Sequence, residues 1–204
     1  MEPMIHHRRG FSLIELLVVI AIMGILMALT VPAVSSLIEN TNVTRAAQLV
    51  ESQLQLARQL ASSKNRPVEV RFIKVPAQSA NGISAIQLWQ MDPPGGAGAA
   101  QARPLTRAEM LPTALCISED TATASRLFAT CGLTNAMPTG TPLSGNSYAA
   151  FQVFPSGLLS PYVEMAKAYV TVLPTRNGKD TSLPRNYATI QINPMTGTPS
   201  TYRP

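Results

Sequence analysis

The sequence predicts an α+β fold, a long N-terminal helix whose second half packs on an antiparallel β-sheet. Three observations predict it. An apolar run from Phe11 to Val31 is interrupted by one charge, Glu15. Apolar residues then recur with helical spacing as far as Ala61. Beyond residue 66 the chain breaks into short segments of alternating apolar and polar residues, punctuated by turns. The whole chain of 204 residues has 17 Pro and 12 Gly, in keeping with many short elements. Apolar residues make up 46% of it and charged residues only 13%, about half the usual share. That composition excludes a disordered tail. A single run long enough for a bilayer excludes a multi-span protein.

The elements follow in order. Residues 1–10 hold Arg8 and Arg9, the firm positive charges that precede the apolar run. Residues 11–31, at ~1.5 Å per residue, match a hydrocarbon core of roughly 30 Å. The arginines are expected to stay cytoplasmic, which places everything after Val31 outside. A cleaved secretory signal fits poorly, because Val31-Pro32-Ala33 is a weak cleavage site and the run is long. A plain signal anchor explains the length and the arginines but not Glu15. A carboxylate at mid-membrane costs about 2.5–3.5 kcal/mol on insertion scales and calls for a partner.

Residues 32–65 continue the helix in amphipathic form. Val43, Ala47, Val50, Leu54, Ala57 and Ala61 form one stripe, which Leu49, Leu56 and Leu60 widen. Arg45, Glu51, Gln55, Arg58 and Gln59 take the other side, and Asn65 and Pro67 end the element. Such a stripe needs a cover.

Residues 66–204 form the β-rich domain. Val68, Val70 and Phe72 alternate with Glu69, Arg71 and Ile73, and Ile86 and Leu88 with Gln87 and Trp89. The same alternation marks Phe151–Phe154, Val170–Leu173 and Ala188–Asn193. One apolar face per strand predicts a sheet with one side on the core. Pro155-Ser156-Gly157 and Pro194-Met195-Thr196-Gly197 read as reversing turns. Pro93–Ala100 is a low-complexity loop without the strand and helix context of a phosphate-binding turn. Asn135–Asn146 is a second turn-rich loop.

Gly10-Phe11-Ser12-Leu13-Ile14-Glu15 resembles the processing site of type IV prepilins and pseudopilins. The resemblance implies cleavage after Gly10 by a prepilin peptidase, N-methylation of Phe11, and an assembly role for Glu15. In that role Glu15 pairs with the Phe11 amine of a neighbouring subunit, so two charges that are costly alone in lipid complement each other. Gly24 and Pro32 match the family's helix-loosening positions. The region from Tyr148 to Pro204 resembles the H-type minor pseudopilins of type II secretion and their type IV pilus relatives. Phe154-Pro155-Ser156-Gly157 and Thr189–Pro194 carry that likeness. The whole chain resembles the pilin-like Verru_Chthon cassette protein D family of Verrucomicrobia, through Val68–Phe72, Ile117–Asp120, Leu183-Pro184 and Tyr202-Arg203-Pro204.

The residues offer little for catalysis. Both histidines, His6 and His7, lie in the expected leader, so the mature chain lacks a His-based triad and the common zinc sites. No motif frames Lys64, Lys74, Lys167 or Lys179 beside a serine nucleophile. Glu119 and Asp120 are the only adjacent acids of the domain and match no calcium loop. Neither an enzyme, a metal nor a cofactor is expected. Cys116 and Cys131 either close a disulfide, worth about 3 kcal/mol in the chain-entropy model, or remain two buried thiols.

The net charge is +5 without a basic run. Arg176, Lys179, Arg185 and Arg203 are scattered near the C-terminus, and a solvated rim is the reading preferred over a nucleic-acid patch. The expected function is that of an inner-membrane, single-pass pilin-like subunit. Its domain would be periplasmic, and it would assemble with other pilin subunits into a type IV pilus or type II secretion-like filament. The alternative is a minor-pilin binding module that recognises DNA or a surface ligand through those four basic residues.

Overall fold

The fold is seen in a computed structural model that describes residues 12–91, 102–133, 135–180 and 182–204, without the side chains of 29–37. Contacts divide the chain into two compact units, Met1–Glu39 and Asn40–Pro204. Helix α1, Leu13–Lys64, runs through the boundary and through both Gly24 and Pro32. It ends as expected. Asn65 takes φ +49°, and the N–H of Arg66 donates back to the Ala61 carbonyl at 3.2 Å, a left-handed cap followed by Pro67.

Within the second unit, eleven strands follow among the described residues: β1 Val68–Ile73, β2 Ala85–Met91, β3 Ala102–Pro104, β4 Glu109–Met110, β5 Leu115–Ile117, β6 Asn135–Ala136, β7 Ser147–Val153, β8 Leu159–Ser160, β9 Tyr169–Pro174, β10 Ala188–Ile192 and β11 Pro199–Tyr202. A short helix α2, Leu127–Cys131, lies between β5 and β6. The strands make two antiparallel sheets rather than the one expected. The larger has seven strands in the order β3-β2-β1-β7-β6, with β4 added on β2 and β8 on β7. The smaller has four, in the order β11-β10-β9-β5. Strands of two or three residues, such as β4, β6 and β8, are too short to show a period in sequence.

The expected stripe is the centre of the core. Val43, Ala47, Val50, Leu54, Ala57 and Ala61 are all buried, and Ala46 joins them. They share one cluster with Val68, Val70, Phe72, Phe151 and Val153 of the larger sheet and Val170, Val172, Ile190 and Ile192 of the smaller. Phe72 makes an edge-to-face contact with Phe128 of α2, ring centroids 5.3 Å apart.

The alternation of β1 is real, but its polar face is not a wet one. Every residue of β1 is buried. Ile73, Ala85, Trp89, Val75 and Met137 form a second cluster on the sheet's other side, packed with Leu143 and Tyr148. The Met137–Leu143 part of the turn-rich loop thus supplies apolar cover to a second face.

Two seams join the sheets. Ile83 and Ile117 exchange backbone bonds of 3.0 and 2.8 Å. At the other seam the β7–β8 and β10–β11 turns stack, with Leu159 N–H donating to the Pro194 carbonyl at 2.9 Å. Gly157 and Gly197 have φ +90° and +68°. A Cβ on Gly157 would lie 2.5 Å from the Thr196 carbonyl oxygen, and one on Gly197 2.9 Å from that of Gly157. Ser62 of α1 donates to the Pro155 carbonyl at 3.1 Å, which ties the helix end to the same turns.

The buried stripe makes a direct prediction for a fragment comprising residues 40–204. Leu54→Ala should lower its stability by about 3 kcal/mol through lost burial and a residual cavity. Leu54→Asp should leave it unfolded, and Arg58→Ala on the exposed side should change stability by less than about 0.5 kcal/mol. Urea unfolding followed by circular dichroism measures all three.

Candidate functional site

The amino-terminal site is built on the first turns of α1. Gly10 and Phe11 lie outside the described residues. Ser12 begins the helix: its carbonyl accepts from the N–H groups of Glu15 and Leu16 at 3.1 and 3.2 Å. Its hydroxyl also accepts from the Glu15 N–H at 3.2 Å. Ser12-Leu13-Ile14-Glu15 is therefore a capping-box pattern, with Ser12 as N-cap and Glu15 at the third helical position. Glu15 sits in the first turn, where the helix dipole favours a carboxylate. The resemblance singled out Glu15 for assembly, while the Ser-x-x-Glu spacing that makes it part of a helix start went unread.

Around Glu15, the apolar side chains of the first unit are uncovered. Leu13 is 83% exposed, and Leu16, Ile20, Met23 and Leu26 are each more than half exposed. Among the described residues, no helix is long and apolar enough to cross a membrane. The apolar run of the sequence, Phe11–Val31, extends past the described side chains at both ends.

In the second unit, each other candidate has a structural occupation. Cys116 and Cys131 are free thiols in the structure. Cys116 is fully buried on β5, with its Sγ 3.9 Å from the Asn81 carbonyl and Gly82 and Gly178 closing tightly around it. Cys131 ends α2 and packs on the main core. Burial pushes the Cys116 thiol up to about 11 and the Cys131 thiol to about 12.

Of the four C-terminal basic residues, Arg203 is engaged by the protein itself. Its guanidinium donates to Thr44 Oγ1 at 2.5 Å, the Asn40 carbonyl at 3.4 Å and Asn186 Oδ1 at 3.0 Å. Arg176 lies in a 3-10 turn, Thr175–Asn177, and Lys179 and Arg185 are exposed.

The acidic pair divides its work. Glu119 forms an ion pair with Lys74, N···O 2.7 Å. Asp120 accepts from the Thr123 hydroxyl and from the N–H groups of Ala122, Thr123 and Ala124. The Thr123 hydroxyl, helped by those N–H groups, holds the Asp120 carboxyl below its ordinary range. Among the described residues, no group of three His, Cys, Asp or Glu is placed to hold a metal.

Sequence reading missed one buried cluster. Arg71 is 4% exposed and pairs with Glu69, N···O 2.5 Å. Its guanidinium lies over Trp89 at 3.9 Å and over Tyr148 at 4.5 Å, with Met137 Sδ 3.9 Å from one nitrogen. The pair satisfies itself and the rings replace its water, so it is a core element rather than a reactive one. No local signal shows it, because Tyr148 is far along the chain and meets Arg71 only through the β1–β7 register. Beside it on the same sheet lies an open groove of about 570 Å³, lined by Gln87, Pro104, Thr106, Arg107, Met110 and Leu143 among others. Its lining carries no carboxylate, imidazole or thiol.

With this geometry in hand, comparison places the amino end. Residues 5–31 match the family model described as the prokaryotic N-terminal methylation motif. The chain carries that motif. It is also 33% identical over 91 residues to two fimbrial proteins of Pseudomonas aeruginosa, covering 40% of this chain. The match spans 59% of the length of those relatives. Among solved structures, it is similar to the type IV minor pilin FimU of Pseudomonas aeruginosa, with 14% identity over 80% of this chain and 90% of that one and a TM-score of 0.45. It is also similar to the minor pseudopilin EPSH from the type II secretion system of Vibrio cholerae, with 15% identity over 81% and 96% and a TM-score of 0.43. Scores this low do not establish a common fold, and the α+β architecture stands on the chain's own elements.

The buried thiols set a pH dependence. A thiol whose folded pKa exceeds its unfolded value near 9.0 keeps its proton in the native state after the unfolded chain has lost it. Its contribution is whole below pH 9 and is lost as pH rises through about 11. Native stability should fall by about 1.4 kcal/mol per pH unit for Cys116 across that window, and Cys116→Ala should flatten the decline. Urea midpoints at pH 8, 9 and 10 test this. A thiol reagent at pH 8 should label the buried Cys116 only once the protein is unfolded.

Proposed function

We propose that the chain is a pilin-like structural subunit, cut after Gly10 and N-methylated at Phe11 by a prepilin peptidase. Its apolar segment holds it in the inner membrane with the N-terminus cytoplasmic and the β domain periplasmic. From there it is drawn into a type IV pilus or type II secretion-like filament. The single observation that carries this reading is the match of residues 5–31 to the methylation motif. The exposed apolar side chains around Glu15 support it, since they have no cover within the first unit and suit a bilayer or neighbouring helices.

The residues suggest how assembly works. Cleavage after Gly10 leaves an α-amine on Phe11, and Glu15 follows four residues on, about one helical turn deeper. Alone in lipid each charge is costly, but across a subunit contact each neutralises the other. The Ser12 cap keeps the turn that bears Glu15 helical, so the carboxylate projects from a formed helix rather than a frayed end. The role is structural rather than catalytic. The binding-module alternative gains no support, because Arg203 is already bonded within the protein.

Two outcomes test the proposal. Intact-mass analysis of native membranes should show a chain beginning at a methylated Phe11, and Gly10→Val should leave it full length because a β-branched side chain crowds the scissile bond. Glu15→Gln keeps a capping-box residue and removes the charge. Glu15→Leu removes both. Both should insert as well as wild type, and both should fall at least tenfold in the sheared-filament fraction. If Glu15→Gln enters filaments like wild type and only Glu15→Leu fails, capping rather than charge pairing is what assembly needs.

A further inference from the structure

The stripe that holds α1 to the domain is fastened differently at its two ends. Its far end is tied through Ser62, whose hydroxyl donates to the Pro155 carbonyl. Its beginning consists of Val43, Ala46 and Ala47, with Leu49 packed behind them. Asn40 is the first residue of the compact unit, so these turns are where the helix enters the domain.

There the C-terminal strand meets the helix. Among the described residues, strand β11 pairs only with β10, placing Thr201 opposite Ile190 and Tyr202 opposite Thr189. Thr201 Oγ1 donates to Glu51 Oε2 at 2.8 Å. Glu51 is steadied by Gln55, whose Nε2 donates to its other oxygen at 3.2 Å. Two residues on, Arg203 reaches Thr44 and Asn40 and is braced from behind by Asn186. Residues 40, 44 and 51 lie one and three turns apart on one helical face, the pattern a strand laid along a helix can reach.

We propose that Thr201–Arg203 is a releasable clasp. It holds the first turns of the domain-bound helix, residues 40–47, and its opening frees those turns while both sheets stay folded. Its parts suit release. Tyr202 and Arg203 are exposed, β11 has a single neighbour among the described strands, and the hydrogen bonds of Thr201 and Arg203 to the helix are open to water. Such contacts exchange readily with solvent, whereas the core beneath Leu54 opens only on global unfolding. The fork of Arg203 is what one point charge cannot replace, since it bridges a helix carbonyl, a helix hydroxyl and a loop amide at once.

Hydrogen–deuterium exchange of the full chain in detergent micelles tests the clasp. Arg203→Ala should speed exchange of the amides of residues 44–48 about tenfold, with β1 and β7 amides unchanged. Thr44→Val, which removes the hydroxyl acceptor without touching the strand, should act in the same direction. Arg203→Lys should fall between wild type and Arg203→Ala. Unchanged exchange at 44–48 in Arg203→Ala would overturn the proposal. So would an increase shared equally by β1 and β7, since that would be global destabilisation rather than a local opening.

Discussion

The burial of one helical stripe in a core shared with both sheets is the constraint on which the domain depends. Val43 to Ala61 present six apolar residues at helical spacing, and all are buried. Both sheets contribute to the same cluster as the helix, so all three bury their apolar residues together. The small residues of the stripe, four of them alanine with Ala46 included, let backbone and strands approach closely. The larger side chains opposite, Phe72, Phe151, Ile86 and Leu88, fill the space so left. Residues 43–61 of the helix are thus a core element of the second unit.

Where the sequence was legible, the reason is periodicity. The helical stripe, the alternation of β1, β2, β7, β9 and β10, the two reversing turns and the helix end at Asn65 all follow from local spacing and backbone preference. The illegible parts are those decided by distant residues. Glu69 and Arg71 alternate correctly, but nothing near them says that Trp89, Met137 and Tyr148 will close over them. The second sheet was hidden because β5 and β11 carry three and four residues, too few for a pattern. Splitting one expected sheet into two also follows from the seams, which are made by turns and a single bridge.

The candidate site divides in the same way. Gly10, Phe11 and Glu15 stand close together in sequence, within the residues 5–31 that match the methylation motif. Arg203 was grouped with Arg176, Lys179 and Arg185 by charge and proximity in sequence. Its partners, Asn40 and Thr44, lie at the other end of the domain's chain and meet it only because β11 runs beside the helix. Charge alone cannot tell a solvated arginine from one that clasps a helix. Cys116 and Cys131 show the same limit, since a pair of cysteines in sequence says nothing about the strand and helix that hold them apart.

The stacked turns at Gly157 and Gly197 bring both sheets and the helix end to one place. Each glycine leaves room for the other's backbone, and the Leu159–Pro194 bond crosses between the two sheets at that point. Ser62 anchors the end of α1 to the same spot. The end of the helix is therefore held at a junction shared by both sheets, and a side chain at either glycine would force the two turns apart there.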